Sequence, residues 1–415
     1  MSRKQILFII DTAPLPIDCG QRVRIKGLTD ACRAAADVTL IAPRPARTED
    51  VRQVESEFAR VYWVDDFVVS GPARLLAMAA AFPHVSGLPT PGKLAAMAPF
   101  VRAIAAAHPA KFDLIWAERP HIAALCGRWR RKMVVDLDDL EHLKIAGQRK
   151  LATGRLERLK LDYRYHFYRR IETGWAARCF AAVVCSREDK AYLIRNGCAN
   201  GFVVPNGAGL PVKPGSLPGA TNAAPRLLFL ANLSYGPNAD AMDWLRAEIM
   251  PALLRADPTT TLDVIGPNAP RAPEGAINYR GFIDDLAGAL DEYDAMVAPL
   301  RYGGGTKLKV LDAMARGLPV ITTAIGAEGL GLYHGVNALL AETPAEFVAQ
   351  VAHVRAEKEW AGGIAVNARD HVARTYAWPA IQGRLANWIR HVKPHEKAVA
   401  FAPLLTLGKR FLISQ

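Results

Sequence analysis

The segment 299–330, PLRYGGGTKLKVLDAMARGLPVITTAIGAEGL, constrains the fold of this chain more than any other part of it. It places three glycines, Gly303 to Gly305, between one apolar stretch and a helical pattern, and it ends in a second apolar stretch. Glycine lets the backbone adopt positive φ and approach a ligand closely. A strand, a glycine loop and a helix in this order are typical of α/β proteins that bind phosphate groups at a helix N-terminus. The segment therefore predicts an α/β fold with a phosphate site.

Charged and polar side chains around the glycine run favour a nucleoside diphosphate as the ligand. Thr306 is placed to cap a helix that begins near Lys307, where free N–H groups and the helix dipole would face an anion. Lys307 and Lys309 add two ammonium groups at the same end of the helix. Asp312, on the following turn, supplies a carboxylate that suits ribose hydroxyls.

Strand and helix patterns alternate along both halves of the chain. The first half opens with an apolar strand at 5–10, a loop rich in proline and glycine, and a helix from about Gln21. The second half opens in the same way, with a strand at 226–231 and a helix from about Ala239. This alternation predicts parallel sheets, so we expect two Rossmann-like, doubly wound domains that face each other across a cleft. Further strands are predicted at 38–42, 61–64, 113–117, 133–137, 182–185, 202–204, 261–265, 294–298 and 318–322.

Length and composition divide the chain. At 415 residues it exceeds what a single core usually supports, which is roughly 250–300 residues. The stretch 203–225 is dense in proline, glycine and alanine and marks a linker. We predict a first domain at 1–207, the linker at 208–225, a second domain at 226–377, and a crossover helix with a tail at 378–415. The tail is apolar, so it either contacts a membrane or covers a groove on the first domain.

The order and spacing of these motifs resemble the family 4 retaining glycosyltransferases (group 1) of the GT-B fold, especially bacterial exopolysaccharide and exosortase-associated sugar transferases. In that family the donor segment ends in a Pro-Val strand and a Gly-x-Glu-Gly turn, found here at 319–320 and 326–329. The family motif carries two glutamates eight positions apart, whereas this chain has Gly304 and Asp312 there. We expect backbone amides of the glycine run to replace the first glutamate.

The resemblance implies further donor-side residues. In the first domain they lie in the loop before the first helix, and in the second they lie where the family binds phosphate, reads the base and holds a sugar or ribose hydroxyl. These residues are Gly20, Arg24, Asn232, Ser234, Tyr235, Phe282 and Glu328. The family often carries Arg and Lys in the loop after the first strand of the second domain, but this chain has Tyr235-Gly236-Pro237-Asn238. The cationic role therefore falls to Lys307 and Lys309.

Structural alternatives are open at several of these positions. Arg24 is also placed as an ordinary residue of the first helix. The turn around Phe282 carries Asp284, whose carboxylate could cap the next helix. Glu328 either contacts the ligand, which the resemblance favours, or caps a helix near Leu330.

An acidic cluster follows the strand at 133–137 and is the candidate acceptor side. The resemblance places acceptor-side and catalytic groups in this loop, where the candidates are Asp138, Asp139 and His142. Glu118 and His121, after the strand at 113–117, are a second possibility, with helix capping as the alternative. A metal is the weakest interpretation of the cluster, because no second acidic cluster accompanies it.

The formal charge of +12 calls for an anionic partner. Basic residues concentrate between Arg128 and Arg170, in a tract that also carries aromatic residues. Such helices suit an anionic membrane surface, with a solvated helix face as the alternative. No nucleic-acid motif accompanies the charge, so we expect no nucleic acid as a partner. The apolar run at the N-terminus is of strand length and lacks a small-residue cleavage site, so we interpret it as a strand of a cytoplasmic protein.

The resemblance implies transfer of a sugar, with retention of configuration, from a nucleotide-diphosphate sugar to a glycan or lipid-linked acceptor in bacterial surface polysaccharide synthesis. No cofactor and no metal are expected. The six cysteines show no metal-ligand spacing and are expected to be reduced. The alternatives are a non-catalytic sugar-nucleotide binder of the same fold and a nucleotide-sugar epimerase. A nicotinamide-dependent dehydrogenase is disfavoured, since neither opening strand is followed by Gly-x-Gly-x-x-Gly.

Overall fold

The computed structural model describes residues 3–17, 19–81, 91–213, 223–270 and 272–394. These residues form two domains, each built on one parallel sheet with helices on both faces. The prediction of an α/β fold with two doubly wound domains is confirmed. No helix in the described ranges is both long and apolar enough to cross a bilayer.

The first domain contains a seven-stranded sheet in the order β3-β2-β1-β4-β5-β6-β7. Its central strands are apolar on both faces, as expected where helices cover both sides of a parallel sheet. All five residues of β4 and the last four of β1 are buried. The strands are β1 Lys4–Ile9, β2 Ala36–Ala42, β3 Arg60–Trp63, β4 Leu114–Glu118, β5 Met133–Asp138, β6 Ala181–Val184 and β7 Gly201–Val203.

Eight helices of the first domain connect these strands. One of them, α7, has 24 residues, of which only Leu161, Glu172 and Ala176 are buried. The helices are α1 Gly20–Ala35, α2 Thr48–Glu57, α3 Gly71–Ala81, α4 Pro91–Ala107, α5 Pro120–Leu125, α6 Glu141–Leu151, α7 Arg155–Arg178 and α8 Arg187–Arg195.

The second domain contains a six-stranded parallel sheet in the order β10-β9-β8-β11-β12-β13. Its strands are β8 Arg226–Leu230, β9 Thr261–Ile265, β10 Ile277–Gly281, β11 Ala295–Ala298, β12 Val320–Thr322 and β13 Leu339–Leu340. Its helices are α9 Gly236–Trp244, α10 Met250–Ala256, α11 Leu286–Ala289, α12 Leu308–Ala315, α13 Ala324–Ala327, α14 Pro344–Ala356 and α15 Lys358–Thr375.

The last described helix, α16 Trp378–His391, packs on the first domain. Ile381, Leu385 and Ile389 join the core that lies between the first sheet and α1. The Trp388 ring lies 4.7 Å from the Phe202 ring, measured between centroids. The tail at 395–415 and linker residues 214–222 lie outside the described residues.

All eleven predicted strands are present, with ends that move by at most two residues. Two strands, β10 and β13, were not predicted. The first is an edge strand with partly exposed polar residues, and the second has only two residues at the opposite edge. Neither has a continuous apolar run, which is the signal that marks a buried parallel strand.

Candidate functional site

The glycine run lies between β11 and α12, at the carboxyl end of the second sheet. Gly303 has φ 148° and Gly305 has φ 64°, so both adopt backbone conformations that are unfavourable for residues with a side chain. The helix begins at Leu308, with Lys307 as N-cap residue and no side-chain cap hydrogen bond. The prediction that Thr306 caps α12 is therefore wrong. Its backbone carbonyl instead accepts the Leu308 N–H, with an N–O distance of 3.0 Å.

Lys309 extends from α12 toward the loop that follows β8. Its ammonium group contacts the Oδ1 atom of Asn238 and lies 4.8 Å from the centroid of the Phe229 ring. Burial of the ammonium lowers the pKa of Lys309 to about 7. An anion at this place would restore the full charge of the lysine, because it would offset the cost of burying the ammonium.

Lys307 points to different partners from those of Lys309. Its side chain is 5% exposed, and its Nζ lies 3.3 Å from the Glu328 carbonyl oxygen and 3.9 Å from Oε2 of the same residue. Burial lowers the pKa of Lys307. The Glu328 side chain remains half exposed and follows α13, so it does not cap a helix near Leu330. The two lysines thus flank α12 on separate sides, toward two different loops.

Asp312 is held by the linker. Its Oδ1 atom accepts hydrogen bonds from the backbone N–H groups of Gly209 and Leu210, at 2.6 and 2.9 Å. Burial nevertheless raises its pKa to about 6. The carboxylate therefore ties the linker to α12, and ribose binding at Asp312 stays a prediction for its other oxygen.

The loop after β8 is organised by Asn232. Its Oδ1 atom accepts hydrogen bonds from the backbone and hydroxyl groups of Ser234, at 3.0 and 2.7 Å. Its carbonyl oxygen accepts from Asn238 at 2.9 Å, so Asn238 links this loop to Lys309. Sequence reasoning did not single out Asn238, although an amide in the first turn of a helix after a glycine and a proline was a visible signal.

Two predicted donor-side aromatic residues lie on exposed loops. Tyr235 ends the same loop, and the Lys144 ammonium of the first domain lies 5.8 Å from the centroid of its ring. Phe282 follows β10 and is 71% exposed, and its role at the base stays a prediction. Helix α11, which follows this turn, is capped by the side chain of Asp285, one residue after the Asp284 considered in the sequence.

Arg24 is buried in the first domain, 1% exposed, rather than placed toward a ligand. Its guanidinium donates to both carboxylate oxygens of Asp136, at 3.1 and 2.7 Å. It also donates to the Val204 carbonyl and to Asn206 Oδ1, at 3.0 and 2.7 Å. These bonds fix α1 to β5 and to the residues between β7 and the linker. The expectation that Arg24 binds the donor is corrected accordingly, because the buried carboxylate of Asp136 holds the guanidinium inside.

His142 is also buried and lies away from solvent. It is 0% exposed, and its Nδ1 atom contacts Oε2 of Glu172 on α7. Its ring packs on Tyr165 and Tyr192, with centroids 5.8 and 5.0 Å away. Its Nε2 atom is buried without a partner in the described part of the chain. The expectation of a catalytic role is corrected, since an acceptor cannot reach a ring enclosed in this way.

Asp138 is the last residue of β5 and Asp139 follows it, and their side chains face different groups. Asp138 has φ 57°, and its Oδ1 atom accepts a hydrogen bond from Asn206 at 2.8 Å, so it belongs to the Arg24 network. Asp139 lies against the glycine run of the other domain. A Cβ atom built on Gly304 would lie 3.2 Å from Asp139 Oδ2. Burial and the neighbouring Asp138 raise the pKa of Asp139 to about 6.

Other contacts across the cleft bring the domains together at the same edge. A Cβ atom on Gly20, at the start of α1, would lie 2.7 Å from Leu308 Cδ1 at the start of α12. A Cβ atom on Gly329 would lie 3.0 Å from the Cβ of Ser186 in the first domain. The carboxyl ends of the two sheets therefore face each other, as the sequence predicted.

A cavity of about 460 Å³ opens in the first domain, and its wall includes Leu137 and Glu141, which lie two residues before and after Asp139. Its walls come from the loops after β1, β4 and β5 and from one face of α7. The lining residues are Asp11, Thr12, Gln21, Arg119, Pro120, His121, Leu137, Glu141, Lys144, Tyr168, Ile171 and Glu172. Most charged groups here are paired: Nε2 of His121 lies 2.8 Å from Oδ2 of Asp11, and Lys144 pairs with Glu141.

Arg119 is the exception in the cavity wall. Its backbone has φ 79° and ψ 148°, a conformation that non-glycine residues rarely adopt. Its guanidinium makes no hydrogen bond or ion pair with any other described residue. Burial opposes its charge, but the carboxylates of Asp138 and Glu118 outweigh burial and raise its pKa. Strain of this kind is typical of functional sites.

Glu118 lies behind the cavity at the end of β4. Its Oε1 atom accepts a hydrogen bond from Gln21 at 2.9 Å, and its buried Oε2 atom has no partner within the described ranges. Burial and the nearby Asp11 raise its pKa to about 8. Glu118 and His121, noted together in the sequence, therefore differ in position. Glu118 is buried, whereas His121 lines the cavity.

No group of three or more His, Cys, Asp or Glu side chains is placed to hold a metal ion within the residues that the structure describes. Cys19 is exposed and the other five cysteines are buried as free thiols. Of the nearby carboxylates, Asp136 and Asp138 pair with the Arg24 guanidinium.

Residues 224–356 match the family model described as "Glycosyl transferases group 1". This part of the chain is a group 1 glycosyl transferase domain. The group 1 domain extends from just before β8 to the end of α14, and it contains every donor-side residue predicted in the second half of the chain. A 44.6 kDa uncharacterized protein in the cps region of Klebsiella pneumoniae is 27% identical over 164 residues. That match covers 36% of this chain and 42% of the Klebsiella protein.

Solved structures show that the chain, including its group 1 domain, has the GT-B fold. Sucrose-phosphate synthase from Thermosynechococcus elongatus aligns with a TM-score of 0.65 at 18% identity, over 94% of this chain and 98% of that one. HepE from Anabaena, in complex with UDP and glucose, aligns with a TM-score of 0.63 at 16% identity, over 94% and 100%. TarM of Staphylococcus aureus aligns with a TM-score of 0.66 at 10% identity, over 94% and 99%.

Proposed function

We propose that this protein is a glycosyltransferase that moves a hexosyl group from a nucleoside-diphosphate sugar to an acceptor bound by the first domain. The observation that carries the proposal is the meeting of Asp139 with the glycine run across the cleft. It sets the cavity of the first domain beside the start of α12, so one substrate on each side could react at their junction. The likeness to HepE, which was solved with UDP and glucose bound, supports a nucleotide-sugar donor.

The donor diphosphate is assigned to the space between the glycine run and the loop after β8. Lys309, Asn232 and Ser234 would contact its phosphates, and the buried lysine would supply charge in a place where water screens it little. Phe282 would stack on the base. Asp312 and Glu328 would contact hydroxyl groups of the ribose and the sugar.

The proposed reaction retains configuration at the anomeric carbon. The bond to the diphosphate oxygen breaks, and the acceptor hydroxyl attacks from the same face while the leaving phosphate takes its proton. The protein then has to stabilise the departing diphosphate rather than provide a strong base. Asp139, with its pKa raised to about 6, is placed to orient the sugar or the acceptor hydroxyl at the junction. No metal and no cofactor take part in this proposal.

The acceptor is assigned to the cavity lined by Arg119 and His121. Its mixed charged and polar walls suit a hydroxylated molecule, which needs both donors and acceptors of hydrogen bonds. We propose a glycan or a lipid-linked glycan as this acceptor, in surface or exopolysaccharide synthesis. The relative in the cps region of Klebsiella pneumoniae supports that setting. The place of action would be the cytoplasm, at the inner face of the plasma membrane.

An activity assay separates this proposal from its two alternatives. The protein is incubated with UDP-, GDP- and ADP-sugars, with and without a bacterial lipid extract as the source of acceptor, and nucleoside diphosphate and sugar are followed by NMR. Diphosphate release that depends on the extract, with an unchanged anomeric configuration in the product, is expected. Sugar interconversion without release would indicate an epimerase, and binding without any turnover would indicate a binder; either result contradicts the proposal.

A further inference from the structure

The long helix α7 is apolar on the side that faces away from the protein. Its inner side carries Leu161, Tyr165 and Tyr168, which pack with α6 in a small core. On the outer side, Leu156 is 65% exposed, Leu159 is 66% exposed and Tyr163 is 51% exposed. A surface helix normally presents polar residues to water and apolar residues to the core. The first half of α7 has apolar residues on both sides.

These exposed side chains form one stripe. At 3.6 residues per turn, positions 156, 159 and 163 fall on the same side of a helix, opposite 161, 165 and 168. Leu151, the last residue of α6, is 40% exposed and extends the apolar surface. We name Leu151, Leu156, Leu159 and Tyr163 the outer stripe.

Cations border the outer stripe. Arg155 and Lys160 lie at its two margins and Arg170 lies further along the same side, and none of the three makes an ion pair with another described residue. Residues 149–170 contain eight Lys or Arg and two Asp or Glu. Their net charge of +6 is half of the +12 carried by the whole chain, concentrated in 22 residues.

We propose that the outer stripe and its bordering cations dock this protein on an anionic lipid bilayer. Apolar side chains of this size would enter the boundary between headgroups and acyl chains, while the arginines and lysines contact anionic headgroups. The concentration of positive charge selects a negatively charged surface over a neutral one. A protein partner would need a surface that is both acidic and apolar. An anionic bilayer has negatively charged headgroups directly above its apolar acyl chains.

The docked helix also reaches the acceptor cavity. Tyr168, Ile171 and Glu172, further along α7, line that cavity. A bilayer bound at the outer stripe would therefore lie on the far side of the helix that forms the cavity wall. This extends the proposed function, because it selects a lipid-linked acceptor over a free glycan.

Vesicle sedimentation tests the docking surface. The full chain is mixed with vesicles of phosphatidylcholine alone or of equal parts phosphatidylcholine and phosphatidylglycerol. Wild-type protein should sediment with the anionic vesicles and not with the neutral ones, and added salt should release it. The double variant L156Q/L159Q should bind at least about tenfold more weakly, because two leucine side chains would no longer enter the apolar part of the bilayer. Its matched control is Y333Q/V336Q, two exposed apolar residues of the second domain, which should bind as wild type does.

Variants with reversed charge test the role of the bordering cations in the same sedimentation experiment. R155E/K160E should reduce binding by about tenfold or more, because each change removes a positive charge from the docking surface and adds a negative one. The control R255E/K358E changes two exposed cations of the second domain and should have no effect. Equal binding to both kinds of vesicle, or full binding by L156Q/L159Q, would overturn the proposal. So would self-association that L156Q/L159Q abolishes without any vesicle binding, because the stripe would then serve a second copy of the chain.

Diphosphate titration of the same variants keeps this result separate from the proposed function. Retained diphosphate affinity with lost vesicle binding is the expected outcome, since no residue of either pair is among the groups nearest to the three glycines. Loss of both in L156Q/L159Q, with an unchanged circular dichroism spectrum, would contradict a role confined to docking.

Discussion

At the scale of single residues, Lys309 is the group whose environment is most informative. Its ammonium is buried beside Asn238 and Phe229, and no carboxylate compensates it in the described structure. A lysine with a pKa near 7 is only partly charged at neutral pH. An anionic ligand would raise that pKa, so binding and protonation should be linked.

Diphosphate binding should therefore take up protons. Between about pH 7 and 9 the free lysine loses its charge, and the affinity for a nucleoside diphosphate should fall as pH rises because protonation must precede binding. Calorimetry in two buffers of different ionisation enthalpy measures the uptake, which should approach one proton per site near pH 8. K309M should bind weakly and take up none. Equal proton uptake by K309M would exclude this lysine.

Glu118 should make folding stability depend on pH. Its pKa is raised from 4.5 to about 8, so its favourable contribution is complete below about pH 4.5 and is lost as pH rises through 8. E118Q removes the titration and retains an acceptor for Gln21. The melting temperature of E118Q relative to wild type should rise from pH 5 to pH 9. A difference that stays constant across this range would show that Glu118 ionises freely in the folded protein.

Residue roles were predictable only in part. The lysines and glycines before α12 were found because they stand in one short segment. Arg24 and His142 were assigned to the site because they follow the right loops, yet each is held by a carboxylate distant in sequence, Asp136 and Glu172 respectively. Sequence pattern places a residue on an element, but the partner that turns it inward comes from tertiary packing.

At the scale of elements, the glycine loop before α12 packs closely against the loop after β5. The ideal Cβ position on Gly305 lies 2.7 Å from Asp139 Cβ, so these loops can meet only because the glycines lack side chains. Strands buried on both faces were predictable from apolar runs, whereas β10 and β13 at the sheet edges were not. The contact between the loops was not predictable either, since it depends on how two separately folded domains meet.

Alanine substitution at Gly305 tests this contact. G305A should cost about 1–2 kcal/mol of backbone strain and, in addition, should push Asp139 away from the glycine run. The matched control is G335A, where φ is 71° and nothing lies within 4 Å of an added Cβ. G305A should lose at least as much stability as G335A in urea unfolding, but only G305A should lose sugar transfer, by about tenfold or more. Equal transfer activity in the two would place the contact outside the reaction.

At the scale of the whole molecule, α16 joins the end of the second domain to the core of the first. Trp378 at its start fills a space left by two glycines: an added Cβ would lie 2.0 Å from its ring at Gly27 and 2.7 Å at Gly207. The indole of α16 thus lies against both α1 and the residue that ends the first domain.

Alanine at Gly27 should loosen this attachment. In a helix interior, Gly to Ala usually stabilises by about 0.5–1 kcal/mol, and G174A in α7, with open space around it, should do so. G27A should instead destabilise by about 1–3 kcal/mol, because Trp378 must leave its site. Urea unfolding followed by tryptophan fluorescence measures both. Stabilisation by G27A equal to that by G174A would show that α16 does not hold the first domain as described.

The central claim is that the second domain binds a nucleoside diphosphate at the start of α12 without a metal. Calorimetric titration with UDP, GDP and ADP, each with and without EDTA, tests it most directly. One diphosphate should bind equally well in EDTA, and K307A/K309A should bind it at least about tenfold more weakly, while K150A/K358A, which removes two exposed lysines, should match wild type. Absence of binding by all three diphosphates, or unchanged affinity in K307A/K309A, would contradict the claim.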